Sequence, residues 1–137
     1  MYFITLCTKN RRPILAVPEV AAALAAFGQR GHEELGVELG RYVVMPDHLH
    51  AFVCLPPTIG VSRWTKALKR TLSVLLNQAG QPKPNWQRGS WDRLMRRRET
   101  YDEKWEYVRQ NPVRAGLVTQ SDDWPLQGEV IILEWPV

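Results

Sequence analysis

The chain has 137 residues, 45% apolar and 23% charged, with a net charge of +4. That length fits one domain and that composition is ordinary for a globular protein, so a disordered or multidomain chain is not expected. Charge and proline break the apolar runs well short of a membrane span, and the opening MYFITLCTKNRRP reads as a strand rather than a secretory leader. A cytoplasmic protein is expected, with Cys7 and Cys54 as buried free thiols inside strand-like runs.

The placement of charge is more informative than its sum. Residues 61–98 hold ten basic side chains (Arg63, Lys66, Lys69, Arg70, Lys83, Arg88, Arg93, Arg96, Arg97 and Arg98) against the single acid Asp92. Residues 121–137 hold four acids and no Lys or Arg. A solvated face explains an ordinary charge run, but an excess of this size points to a polyanionic partner.

In chain order, Tyr2–Thr8 reads as a strand rich in aromatic and β-branched residues, stopped by Lys9–Arg12 and Pro13. Residues Pro18–Gly36 predict an Ala-rich helix with Val20, Leu24, Phe27, Gly31 and Leu35 on its apolar stripe. Val37–Met45 and His48–Leu55 predict two strands joined through Pro46-Asp47, hence an antiparallel hairpin. A helix over Gly60–Ala79 follows, its stripe formed by Val61, Trp64, Leu68, Thr71/Leu72 and Leu75/Leu76. Gly80–Asn85 is a loop, and Trp86–Arg96 predicts a fourth strand bent at Gly89. Thr100–Asn111 predicts a helix capped by Thr100 or Asp102 and stopped or kinked before Pro112. The acidic tail ends in an apolar run, Val130–Leu133, suited to a further edge strand.

The order β-α-β-β-α-β and then a helix is that of an α+β, ferredoxin-like split β-α-β fold. It has one antiparallel sheet, helices on one face, and an added C-terminal helix. Residues 1–120 are expected to form the domain, with 121–137 packed on it or extending it.

Two short stretches carry chemistry. In Met45-Pro46-Asp47-His48-Leu49-His50, the histidines are two apart at the start of a strand and so project from one face, while Leu49 points into the core. Two imidazoles on a rigid strand make half of a divalent-metal site, to be completed by a carboxylate or carboxamide and by water or substrate oxygen. Chance spacing of two structural histidines is the competing reading. His32, beside Glu33 on a helix, reads as a surface residue. In Trp105–Pro112, Tyr107 and Asn111 are four apart and share a helical face, which can bring a phenol and a carboxamide to one metal. A phenol with pKa near 10 needs help as a nucleophile, and a metal that polarises a phosphodiester supplies it. A core aromatic is the alternative for Tyr107. Tyr2 and Tyr42 lie in strands, and Tyr101 falls off the Tyr107 face.

These pieces, taken together, resemble the IS200/IS605-like single-tyrosine transposases of the HUH class, and in particular the REP-associated tyrosine transposases. The matching stretches are Tyr2-Phe3-Ile4-Thr5 with Arg11-Arg12, Val44–His50, Trp86–Arg93, and Tyr107–Val118, in the right order along nearly the whole chain. The resemblance implies that His48 and His50 are metal ligands, that Asn111 is a third, carboxamide ligand, and that Tyr107 is the nucleophile. It implies a Mg²⁺ or Mn²⁺ cofactor and a nucleoid-associated enzyme that cleaves single-stranded DNA beside imperfect hairpins through a 5′-phosphotyrosine. Arg63, Lys66, Lys69, Arg70, Arg96, Arg97 and Arg98 would then contact phosphate. Trp64, Trp86 and Trp91 are available for stacking or for the core, with Trp64 on an apolar stripe. A hairpin-binding protein without cleavage, and a hydrolase using a metal-bound water, are the alternative functions. Relatives work as monomers or as dimers, and the sequence leaves both open. The REP-associated branch also carries a guide-reading arm ahead of the first strand, which the chain as read from Met1-Tyr2 leaves unaccounted for.

Overall fold

The computed structural model describes residues 1–134. Its strands are β1 (Tyr2–Cys7), β2 (Glu38–Val44), β3 (His48–Cys54), β4 (Trp91–Leu94) and β5 (Gln127–Glu129). Its α-helices are α1 (Pro18–Leu35), α2 (Val61–Gln78), α3 (Arg98–Arg109) and the single turn α4 (Asn111–Arg114). The strands form one antiparallel sheet in the order β4-β1-β3-β2-β5, the α+β arrangement expected from the sequence.

Alternation along the strands sorts side chains onto two faces. Ile4 and Leu6 of β1 and Leu49, Ala51 and Val53 of β3 point to one side, where they meet Val20 and Leu24 of α1 and Trp64, Leu68, Leu72 and Leu76 of α2. Each of the buried Val, Leu and Ile side chains among them contributes roughly 1.5–3 kcal/mol. The opposite face carries Phe3, Val43 and Phe52, and α3 covers part of it with Tyr101 and Val108. His48 and His50 belong to this second face.

The α2 stripe matches the sequence pattern, but the α1 stripe runs Val20–Leu24–Gly28 and leaves Leu35 58% exposed. Gly28 takes a core position because Leu39 sits against it, and a Cβ there would lie 2.5 Å from Leu39 Cδ2.

Three boundaries differ from the sequence reading. The fourth strand is confined to Trp91–Leu94, because Gly89 at φ +76° turns the chain and leaves Trp86 as an isolated bridge to Thr8. The third helix begins at Arg98, ahead of Thr100, and no side chain caps it. The tail strand is Gln127–Glu129, three residues before the apolar run expected there. A bulge between Leu39 and Tyr42 shifts the β2 register, yet the Val130 and Ile131 amides still donate to the carbonyls of Gly40 and Leu39. Trp124 and Leu126 fasten this segment, the indole donating to the Val44 carbonyl and Leu126 entering the core.

Candidate active site

The hairpin turn that begins the site is tied to the end of β1. The Thr8 amide donates to the Asp47 carbonyl at 3.0 Å, and the Leu15 amide donates to the Pro46 carbonyl at 2.9 Å. Residues Asn10 and Arg11 both adopt left-handed geometry, at φ 56° and 54°. For a bulky side chain such as Arg11 this conformation is costly, and surrounding contacts must hold it. Those contacts are visible. The Arg11 guanidinium donates to Asp47 Oδ2 at 2.9 Å and to Cys7 Sγ at 3.3 Å, and stands 3.5 Å from His48 Nδ1.

Asp47 in turn binds His48 Nδ1 through Oδ1 at 2.8 Å. Burial works against the Asp47 carboxylate, but its bonds to His48 and Arg11 hold its pKa below the ordinary value. On the next same-face position, His50 Nδ1 lies 2.9 Å from Thr5 Oγ1, directly across the β1–β3 pair. His50 is pushed down to about 3, first by burial and then by its electrostatic neighbours His48, Lys104, Arg11 and Arg114. A neutral His50 keeps a lone pair for a ligand. The two imidazole centroids are 4.8 Å apart in an edge arrangement. With both Nδ1 atoms engaged by Asp47 and Thr5, both Nε2 atoms are left for a metal, the usual construction of a histidine metal site. The donor set therefore fits a divalent cation. Among the described residues no group of three or more His, Cys, Asp or Glu side chains stands together as a metal cluster, so any third protein ligand would be of another type.

A train of contacts leads from the imidazoles to the tyrosine. Phe3 stacks on His50 with centroids 5.0 Å apart, and Lys104 Nζ lies 4.8 Å from the Phe3 centroid and 5.6 Å from the Tyr107 centroid. Arg114 covers the Tyr107 ring at 4.1 Å. Tyr107 is 62% exposed, on a helix that otherwise buries Tyr101 and Val108 against the sheet. The other tyrosines are poor nucleophiles by position. Burial raises the Tyr42 phenol and pushes that of Tyr101 up to about 12, and Tyr2 packs on the helix-covered core.

Pro112 shapes the chain around Asn111. Lacking an amide proton, it interrupts the helical ladder, so α3 ends at Arg109 and α4 restarts at Asn111. Arg114 spans the break by donating to the Tyr107 carbonyl at 2.8 Å and to Asn111 Oδ1. Tyr107 and Asn111 are thus brought together through Arg114, and the tyrosine is linked to the histidines through Phe3 and Lys104.

The basic cluster divides. Arg63, Lys66 and Arg70 are exposed on α2, the helix packed on the sheet face opposite the histidines. Lys69, expected as a phosphate contact, is instead engaged internally: its ammonium donates to the carbonyls of Gln87 and Gly89, because the loop before β4 crosses over it. Arg96, Arg97 and Arg98 are exposed at the β4–α3 junction. Trp64 and Trp86 are buried and Trp91 is 71% exposed. Sequence reasoning named no role for Arg11, Asp47, Thr5, Lys104 or Arg114. Same-face alternation on β1 marks Thr5, and helical spacing of three marks Lys104 beside Tyr107. The grip of Arg11 depends on a left-handed backbone that no periodicity signals.

Residues 1–110 match the family model described as "Transposase IS200 like". A REP-associated tyrosine transposase of Escherichia coli K12 is 29% identical over 126 residues, covering 90% of this chain and 73% of that protein. A solved structure of a REP-associated tyrosine transposase bound to a REP hairpin superposes with a TM-score of 0.70 at 28% identity, covering 92% of this chain and 74% of the other. With the family model matching most of the length, the chain belongs to the IS200-like transposases, a family of DNA-processing enzymes.

Proposed function

We propose that this protein cleaves and rejoins single-stranded DNA beside hairpin-forming repeats, with Tyr107 as nucleophile. The observation that carries the reading is the pair of imidazoles with engaged Nδ1 atoms and free Nε2 atoms, linked by contact to the one tyrosine that is both exposed and flanked by cations. The structural relative bound to a REP hairpin makes a hairpin the natural class of DNA partner.

His48 and His50 would hold Mg²⁺ or Mn²⁺ through Nε2, with Asn111 as a third ligand once its Oδ1 is exchanged from Arg114 to the cation. Bound there, the ion would supply charge stabilisation at the scissile phosphate. The Tyr107 oxygen attacks phosphorus, its P–O bond forms as the bond to the 3′-oxygen breaks, and the phenolic proton is balanced by protonation of that 3′-oxygen. Lys104 and Arg114 place positive charge where negative charge develops. The phosphotyrosine keeps the ester energy, so a DNA 3′-hydroxyl can reverse the step and join strands. Arg96–Arg98 and the exposed α2 residues Arg63, Lys66 and Arg70 contribute phosphate contacts.

The test is a denaturing gel after incubation with Mn²⁺ and a hairpin carrying a single-stranded extension. A covalent protein–DNA adduct is expected from the native sequence and none from Tyr107→Phe. An adduct that persists in Tyr107→Phe removes Tyr107 as nucleophile. Cleavage to a free 5′-phosphate with no adduct indicates hydrolysis, and binding without cleavage indicates a binding protein.

A further inference from the structure

β4 is an edge strand, and its register fixes what stands beside the histidines. Trp91 pairs with Thr5 on β1, and Thr5 pairs with His50 on β3. Side chains directly opposite in an antiparallel pair point to one face, so Trp91, Thr5 and His50 form a single row across the sheet. In the next row Arg93 pairs with Phe3 and Phe3 with Phe52. A cleft of about 180 Å³ opens between these rows, lined by Phe3, Thr5, Trp91, Asp92, Arg93 and Lys104.

The indole is out of place for a folding role. It is 71% exposed, while Trp64 and Trp86 are buried, and Trp86 Nε1 donates to Ser73 Oγ at 3.0 Å. Exposing so large an apolar surface forfeits the burial that would stabilise the fold. The segment leading to it is nevertheless fastened. Lys69 Nζ donates to the Gln87 and Gly89 carbonyls, and the Gln87 amide donates to the Cys7 carbonyl at 2.9 Å. A rigid, exposed aromatic face with Arg93 and Lys104 at its border combines a stacking surface with charge for a phosphate.

We propose that Trp91 is a nucleobase subsite, stacking on the unpaired base next to the phosphate held at His48 and His50. This rests on the strand-transfer reading above. Two strand spacings, on the order of 10 Å, separate the indole row position from that of His50, and the sugar and base of one nucleotide span that gap. Stacking suits any base, so the subsite selects single strand over duplex rather than a particular sequence. A duplex keeps its bases paired and stacked internally and offers Trp91 no free face.

The experiment uses the Tyr107→Phe protein with Mn²⁺, so that DNA is bound without being cut, and two probes. One is a hairpin with a single-stranded extension carrying 2-aminopurine beside the cleavage position, and the other is the same hairpin with blunt ends. Adding Trp91→Ala is expected to weaken binding of the tailed hairpin on the order of 10-fold and to abolish the 2-aminopurine quench, with blunt-hairpin affinity unchanged. Trp91→Phe is expected to restore most of both. Equal loss on tailed and blunt DNA, an undiminished quench in Trp91→Ala, or a self-association that Trp91→Ala abolishes would each overturn the subsite. Adduct formation is scored in parallel with Tyr107 intact. Adduct formed while Trp91→Ala binds normally removes the subsite and leaves strand transfer standing. Stacking lost in Trp91→Ala with no adduct from the native sequence removes the chemistry and leaves the subsite.

Discussion

Arg114 lies over the ring of Tyr107, its guanidinium carbon 4.1 Å from the ring centroid, while one of its nitrogens takes the Tyr107 carbonyl and Asn111 Oδ1. One side chain therefore fixes the candidate nucleophile and the candidate carboxamide ligand across the helix break made by Pro112. Arg114→Ala is expected to lower the rate of adduct formation by roughly 100-fold or more, the scale of one preorganised donor. Arg114→Lys should recover only part of this, since an ammonium cannot both lie flat over the ring and hold the Tyr107 carbonyl as the planar guanidinium does. Quenched-time-course gels measure it, and native rates in both variants would exclude the role.

Asp47 stands between Arg11 and His48, binding the guanidinium at 2.9 Å and the imidazole at 2.8 Å. Replacing it by Asn keeps size and removes the charge that engages the imidazole at Nδ1. Mn²⁺ affinity of Asp47→Asn should fall by roughly 10–100-fold, as for other groups that orient a metal-binding histidine. Mn²⁺ electron paramagnetic resonance reads this without any DNA, and circular dichroism reports that the fold persists. An unchanged affinity would separate Asp47 from the metal site.

The sheet face and the hairpin were legible from His48-Leu49-His50, because alternation alone sends Leu49 to the core and both imidazoles to the other side. The core face of α2 was legible for the same kind of reason, since Trp64, Leu68, Leu72 and Leu76 fall on one stripe, whereas on α1 the expected Leu35 is exposed and Gly28 is buried instead. Features set by contact rather than period were not. Lys69 looks like any basic residue of α2 until the loop at Gln87–Gly89 folds over it. Arg11 looks like half of a surface Arg-Arg pair until the left-handed turn carries it back onto Asp47. The break in the tyrosine helix was legible from Pro112, but the Arg114 contact that holds the two parts together across it was not.

Tyr101 packs its ring on Phe52 at 4.7 Å, and burial pushes its phenol up to about 12, above the unfolded value near 10. The folded state thus holds this proton more tightly than the unfolded chain. Its contribution is complete below about pH 10 and is lost as pH rises from there towards 12. Thermal melts of the native sequence should show falling stability across that window, and Tyr101→Phe should flatten the slope. The same variant should still form the DNA adduct, which separates a structural phenol from the reactive one. A slope unchanged by Tyr101→Phe would place the alkaline sensitivity elsewhere.

Gly28 is the point where α1 comes closest to β2. A methyl group there would meet Leu39 Cδ2 at 2.5 Å and Leu39 Cβ at 3.0 Å, and Leu39 is fully buried beside the β2 bulge. Helix propensity favours alanine over glycine by about 0.8–1.0 kcal/mol. Overpacking a core costs about 1–3 kcal/mol, and steric cost should win because the blocking atoms include a Cβ fixed to the strand. Gly28→Ala is therefore expected to be destabilised in urea unfolding despite its better helix former. Added stability would show that α1 slides on the sheet to make room.

The division of the basic cluster predicts an asymmetric salt response. Arg96, Arg97 and Arg98 lead directly into the helix that bears Tyr107, whereas Arg63, Lys66 and Arg70 are carried by the helix on the opposite sheet face. Each single-strand phosphate contact contributes about 0.7 to the slope of log K against log salt. Neutralising Arg96, Arg97 and Arg98 together should lower that slope by up to about 2 for a single strand. Neutralising Arg63, Lys66 and Arg70 should lower it less, because DNA seated at the histidines reaches them only by passing round the sheet edge. Titrations of a labelled tailed hairpin across a salt series decide this, and an equal loss from both triple variants would mean that the DNA path encloses both faces.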